Sequence, residues 1–190
     1  MRSAAKRMLD LSLAVLLSIL LALPMLFIAV FIKLVSKGPA IFWTDRVGIH
    51  NAIFKMAKFR TMRTDTPQVA THLMKDPGTY LIPGGQFLRR SSLDELPQLL
   101  NVLKGSMSFV GPRPALFNQD DLVALRTSKG VQTLVPGITG WAQINGRDDL
   151  PIPVKVAFDE YYLKNQSLFL DLKIFILTTL KVIKKEGVSH

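Results

Sequence analysis

Apolar and charged positions are segregated along this chain, and the segregation is sharpest at its start. From Leu11 to Ile32 no residue is charged, roughly the 20 residues that cross a bilayer as a helix. Arg2, Lys6 and Arg7 precede this run, and Lys33 and Lys37 follow it. A signal peptide would have a shorter apolar region ending in a small-residue cleavage site, so the run is expected to be retained. Pro24 lies mid-run, where it removes a backbone donor and kinks a helix. Two topologies fit: a helix that spans the bilayer, and one that bends at Pro24 and returns to the leaflet it entered. The basic residues at both ends sit uneasily with a span, because the positive-inside preference is asymmetric. Proline is nevertheless tolerated in true spans, and the pattern alone leaves both open.

After Gly38 the period shortens. Ala40–Thr44 and Ala52–Phe59 flank the turn-rich Gly48-Ile-His-Asn51, a hairpin pattern. Its second arm runs into Lys58-Phe-Arg60-Thr61, where basic residues serve either a solvated face or a phosphate. Thr64 to Gly85, with three prolines and adjacent glycines, predicts a long loop. Next comes GQFLRRSSLDELPQLLNVLKGSMSFVGPRP, residues 85–114. Leu99, Leu100, Val102 and Leu103 predict a short helix with a buried face, stopped by Gly105. Ser92 and Glu95 have capping-box spacing, which by itself favours Asp94 and Glu95 as helix-dipole partners. Pro97 prefers the first helical position, which would instead leave both acids just ahead of the helix, at an end suited to anions.

Downstream, Ala115–Lys129 and about Val154–Lys164 read as helices. Pro136–Arg147 reads as glycine-rich turns displaying Trp141, Gln143, Asn145 and Arg147, which suit a nucleobase or sugar or simply a structural turn. Leu168–Lys185 mixes apolar residues with lysines, as an interfacial helix or a core-capping one does.

Composition changes this picture in one respect. With 24 Lys+Arg against 14 Asp+Glu, the net charge is +10, which calls for an anionic partner. There is no cysteine, hence no disulfide or thiolate metal site, and the three histidines share no metal-site spacing. The aromatics are mostly Phe within apolar runs, so nucleic acid is not an expected partner. Two adjacent acids near Arg89, Arg90 and Arg113 can hold and attack a phosphate, since a carboxylate is a competent nucleophile and guanidinium groups stabilise the charge that develops. Arg113 sits between Pro112 and Pro114, on stiff backbone. A membrane-anchored basic protein that only binds anionic lipid or nucleic acid would account for the charge and the anchor, but not for the Asp-Glu pair.

Five segments carry a resemblance: KRMLDL, KFRTM, LRRSSLDELPQLLNVLKG, VGPRP and PGITGWAQINGR, in that order. In them the chain resembles the bacterial monotopic phosphoglycosyl transferases, from about Lys6 to the C-terminus. The resemblance implies transfer of a sugar-1-phosphate from a UDP-sugar to polyprenol (undecaprenyl) phosphate with release of UMP, the first membrane step of glycan assembly. Asp94 would be the nucleophile of a covalent phosphosugar intermediate, and Glu95 would bind Mg2+. Lys58, Arg60, Arg89 and Arg113 would contact phosphate, and Gln143, Asn145 and Arg147 would line the nucleotide-sugar wall. Asp159 and Asp171 are assigned structural roles. The implied fold is α+β and mainly helical: residues 1–37 as a re-entrant membrane helix, then a catalytic domain, 38–190, with a small hairpin and amphipathic interfacial helices. The length matches the minimal catalytic unit. The implied location is the cytoplasmic face of the bacterial inner membrane, among membrane lipids, with a homodimer left open. Two departures are visible: Leu23-Pro24 stands where many relatives have Ser-Pro, and Ser106 where many have an acid.

Overall fold

The computed structural model describes residues 3–66, 76–146 and 150–184. It is mainly helical. Helices α1 (Ala4–Leu20) and α2 (Ala22–Val35) lead into a hairpin of β1 (Ile41–Val47) and β2 (Ile53–Phe59), paired antiparallel from Ile41↔Phe59 to Val47↔Ile53. Then come α3 (Gly85–Arg90), a 3-10 segment (Leu93–Gln98), α4 (Leu99–Lys104) and β3 (Ser108–Val110). Helix α5 (Asp120–Ser128), β4 (Gly137–Thr139), α6 (Trp141–Ile144), α7 (Ile152–Asn165) and α8 (Leu168–Lys184) complete it.

The hairpin is as expected, its turn carrying His50 and Asn51 in the left-handed region. Four expectations are corrected. The helix expected from Ala115 begins only at Asp120, because Ala115 and Leu116 are engaged as strand partners of β1, through Val47 N to Ala115 O and an Arg46↔Leu116 bridge. The glycine-rich segment from Pro136 contains β4 and α6 as well as turns. Strand β4 pairs in parallel with β3, Ser108↔Gly137 and Val110↔Thr139, and a Cβ on Gly111 would run into the Val135 carbonyl of that partner segment. The capping box does not form: Ser92 has φ 56 and its side chain makes no cap bond. Finally, regular α-helix starts at neither Ser92 nor Pro97. Pro97 lies inside a 3-10 turn and α4 starts at Leu99. Gly105, at φ 87, does end α4.

Helices α1 and α2 meet at 60°. The break lies at Leu21 rather than at Pro24, and Pro24 explains why. Its missing N–H would have bonded the Leu20 carbonyl, and its ring crowds that same carbonyl. So α1 ends at Leu20, while Met25 N resumes the ladder on Leu21 O at 2.8 Å. Among the described residues no single helix is long and apolar enough to cross a membrane, although this bent pair passes together.

The main core gathers Ala14 of α1, Met56, Leu99, Val102, Met107, Phe109, Tyr162 and Ile174. A second cluster joins Ile32 of α2 to Phe59, Ile82 and Leu88. The N-terminal helices therefore pack into the same body as the rest of the chain. Their polar residues do too. Asp10 accepts from Ser108 Oγ at 2.8 Å and Phe109 N at 3.1 Å. Lys6 pairs with Asp171, which also accepts from the Tyr162 hydroxyl at 2.6 Å. Arg7 places Nη1 and Nη2 on the carbonyls of Val102 and Leu103, 2.6 and 2.8 Å away, capping the carbonyls that the end of α4 leaves unsatisfied.

Candidate active site

The 3-10 segment Leu93–Gln98 lies against β2 and carries the two acids. Leu93 and Leu96 pack onto the cluster of Phe59 and Leu88, which holds the segment from both sides of the Asp94–Glu95 pair. Ser92, just ahead of it, adopts a left-handed conformation unusual for a residue with a side chain. Such backbone is retained where surrounding structure over-determines it.

Asn101 of α4 fixes the spacing between this segment and β2. Its Nδ2 donates to Lys55 O at 2.7 Å and its Oδ1 accepts from Ala57 N at 3.0 Å. One buried amide thus takes the place of a neighbouring strand along β2. The next residues along β2 deliver Lys58. Its Nζ lies 2.7 Å from Glu95 Oε1 and 3.7 Å from Asp94 Oδ2. Arg113 reaches the same Glu95 oxygen with Nη1 and Nη2, each at 3.4 Å. Arg89 stands on the other flank, its Nε on Thr61 Oγ1 at 2.9 Å and its charge close enough to act on Asp94.

Asp94 is buried, 7% exposed. Burial raises its pKa to about 6, with Glu95 adding to the rise and Lys58, Arg89 and Arg113 opposing it. Desolvation outweighs three nearby cations, which describes a carboxylate that is poorly hydrated yet still ionised near neutral pH. Burial also lowers the pKa of Arg89, against the pull of Asp94.

Not every candidate residue gathers here. Arg60 is buried with its guanidinium on Lys37 O at 2.6 Å and Ser36 O at 2.9 Å, closing the end of α2. Gln143 donates to Ile138 O at 2.9 Å and Asn145 to Trp141 O at 2.8 Å, both within their own loop. Trp141 stacks on Tyr161, ring centroids 5.4 Å apart, under the Lys173 ammonium. Arg147 lies outside the described residues. Asp159 is fully buried against Arg126, and the partly buried Asp171 pairs with Lys6. Asn101 and Arg126, which hold neighbouring segments of the site, were not singled out from the sequence, and Arg7 was read only as part of the basic flank of the apolar run. A lone Asn among the leucines of the α4 segment was the available signal for Asn101, since a buried amide needs partners.

The donor chemistry of the pair suits a hard divalent cation. Mg2+ takes oxygen ligands, commonly one or two carboxylates completed by substrate phosphates and water. Glu95 and Asp94 are adjacent carboxylates, and among the described residues no group of three potential metal-ligating side chains exists.

Comparison with known proteins decides the family. The profile of the bacterial sugar transferase family matches residues 1–185. The chain belongs to this family. It is a transferase. The uncharacterized sugar transferase EpsL of Bacillus subtilis is 43% identical over 187 residues, covering 97% of this chain and 90% of that protein. The UDP-glucose:undecaprenyl-phosphate glucose-1-phosphate transferase of Caulobacter vibrioides is 42% identical over 182 residues, 91% of this chain and 67% of its own length. The Escherichia coli protein of the same name is 42% identical over 185 residues, and the chain spans 39% of its length. The family's shared part thus includes α1, α2 and the whole Asp94 site.

Proposed function

We propose that this transferase moves a sugar-1-phosphate from a UDP-sugar to polyprenol phosphate, releasing UMP, by way of a covalent intermediate on Asp94. The observation that carries the reading is Asp94 itself, a buried carboxylate with pKa raised to about 6 beside Glu95, Lys58, Arg89 and Arg113. A protein that only bound anionic lipid would keep its cations free and would not desolvate a carboxylate among them. The names of the Caulobacter and E. coli relatives support the donor and acceptor classes.

In the first step an Asp94 carboxylate oxygen attacks the sugar-bearing phosphorus. The bond from that phosphorus to the bridging oxygen breaks and UMP leaves with the electron pair. In the second, a phosphate oxygen of the polyprenol attacks the same phosphorus, giving polyprenyl-diphospho-sugar and returning the carboxylate. Low hydration leaves Asp94 little solvent to shed before attack. Arg113 and Arg89 provide forked donors for the equatorial oxygens, whose charge grows as the bonds exchange. Lys58 keeps Asp94 ionised while drawn close to Glu95. Glu95 would hold Mg2+, which when bound neutralises charge on the diphosphate.

A lipid acceptor requires that the site lie at headgroup level, and the surface offers a matching apolar face. Leu16, Ile19, Leu20, Leu23, Phe27 and Leu34 of α1 and α2 are exposed, as are Phe169, Leu172, Ile176 and Leu180 along one stripe of α8. Such a face belongs in a bilayer interface rather than in water. The start of α1 and the end of α2 are both bonded to the body that carries Asp94, through Lys6, Arg7, Asp10 and Arg60. This arrangement favours the re-entrant topology and a location on the cytoplasmic face of the inner membrane, where UDP-sugars are made.

The test is UMP release from a panel of UDP-sugars, with and without polyprenol phosphate, by wild type and Asp94→Asn. Labelled sugar-phosphate retained on wild-type protein in the absence of acceptor, and absent from Asp94→Asn, is the expected result. Turnover by Asp94→Asn, or transfer without any protein-bound label, would overturn the covalent route.

A further inference from the structure

The loop Gly111-Pro-Arg-Pro-Ala115 presents Arg113 to Glu95, and most of its carbonyls accept a hydrogen bond. Two of its residues are prolines and donate nothing, so the loop is held chiefly through its carbonyls. Gly111 N donates to Thr139 O, and Pro112 O accepts from Gly137 N, both at 2.9 Å. Ala115 O accepts from Val47 N at 3.0 Å. These backbone bonds tie the two ends of the loop to β4 and β1. Between them, Pro114 O accepts from Arg46 Nη1 at 3.3 Å, and Arg113 O accepts from Arg126 Nη1 at 2.8 Å. The carbonyl of Arg113 itself therefore depends on one side chain from α5.

That side chain is in turn locked. Arg126 Nε and Nη2 both donate to Asp159 Oδ2 of α7, at 3.0 and 2.7 Å. Arg126 is 8% exposed and Asp159 1%. The helices that carry them pack through Leu122 and Val156 around Ala115 of the loop. A shallow open pocket lined by Val47, Gly48, Pro112, Pro114, Arg126 and Leu134 lies against the other side of the loop. A planar guanidinium suits this bridging, with one edge on a carboxylate and the remaining nitrogen on a carbonyl.

We propose that Arg126, oriented by Asp159, is a positioning residue that sets where the Arg113 guanidinium stands relative to the Asp94–Glu95 pair. It touches no substrate and acts only through the Arg113 backbone. The inference rests on the reading of that pair as the phosphate-transfer site. A buried ion pair adds little net stability compared with apolar residues of similar volume, so holding the fold together is a weak reason for this one. Fixing Arg113 is a stronger reason, since small misplacement of a phosphate clamp is costly to rate.

The experiment replaces the pair together, Arg126→Met with Asp159→Leu, so that neither partner is left as a buried lone charge. UMP release is measured in the wild-type and in the Arg113→Ala backgrounds, with thermal midpoints for each protein. Positioning predicts a midpoint near wild type and kcat lower on the order of tenfold to a hundredfold, with a smaller change in KM for the UDP-sugar. In the Arg113→Ala background the same replacement should cost nothing further. Wild-type kcat from the paired variant, or losses that add in the Arg113→Ala background, would overturn the proposal. If the apolar pair does not fold, Arg126→Lys goes through the same cycle and the same two outcomes decide. Wild-type protein that releases no UMP from any donor would bring down the functional reading, and this inference with it, before any variant is compared.

Discussion

Lys58 on β2 and Glu95 on the 3-10 segment are joined at 2.7 Å, although 37 positions separate them in the chain. The contact exists because Asn101 holds β2 at a fixed distance from the helix that follows Glu95. Lys58 is also 3.7 Å from Asp94, so one ammonium faces both acids.

This arrangement fixes the pH dependence. Asp94 has its pKa raised to about 6, principally by burial, and Lys58 is the largest influence holding it down. A nucleophilic carboxylate must be ionised, so kcat for UMP release should rise with pH through about 6 and then level. Lys58→Met removes the main lowering charge and should move that limb to higher pH. An unshifted limb in Lys58→Met would show that the titrating group is elsewhere.

Stability should respond in the opposite sense to activity. With its folded pKa above the unfolded one, Asp94 binds its proton more tightly in the native state, and the fold loses stability as pH rises from about 4 to about 6. Above that range the wild type carries the full cost of a buried charge. Asp94→Asn should therefore abolish turnover while its thermal midpoint at pH 7.5 equals or exceeds that of wild type. A large fall in the midpoint would mark Asp94 as a structural anchor instead of a strained functional group.

Asn101→Ala should be among the more damaging substitutions outside the acids. It leaves the buried Ala57 N and the part-buried Lys55 O without the Asn101 side chain, at about 1–3 kcal/mol for an unsatisfied buried group. Denaturant unfolding measures the loss, and a change below about 0.5 kcal/mol, the range of ordinary surface substitutions, would contradict the strand-mimic role.

How far the sequence anticipated this site depends on whether the signal was local. The hairpin, the Gly105 stop and the acidic pair among cations were legible because alternation, a glycine cap and adjacency are written over a few residues. The Ser92–Glu95 spacing misled for the same reason. It describes a capping box, but tertiary packing of Leu93 and Leu96 onto Phe59 and Leu88 selects a 3-10 turn with Ser92 left-handed. Arg60 illustrates the limit differently, since its composition fits a phosphate contact while its geometry closes α2. The parallel pairing of β3 with β4 and the Arg126–Asp159 bridge connect residues more than 25 positions apart, which no periodicity within either segment records.

The topology prediction follows from the bend and its neighbours. If the bent pair spanned the membrane, the start of α1 would lie across the bilayer from the end of α2. Yet Arg7 caps the carbonyls of Val102 and Leu103, and Asp10 binds Ser108 and Phe109, while at the far end Arg60 closes α2 at Ser36 and Lys37. A full span would have to break the first set of contacts and expose the groups they satisfy. Bending at Leu21, with Pro24 removing the bond to Leu20, preserves both sets and keeps Lys6, Arg7 and Lys33 on one side, as the positive-inside preference asks. Native cysteine is absent, so Ser3→Cys gives a single reporter next to these residues. In intact cells it should resist a membrane-impermeant thiol reagent and label only after lysis. Labelling in intact cells would establish a true span and discard the re-entrant arrangement, while the UMP-release assay would still judge the chemistry at Asp94 on its own terms.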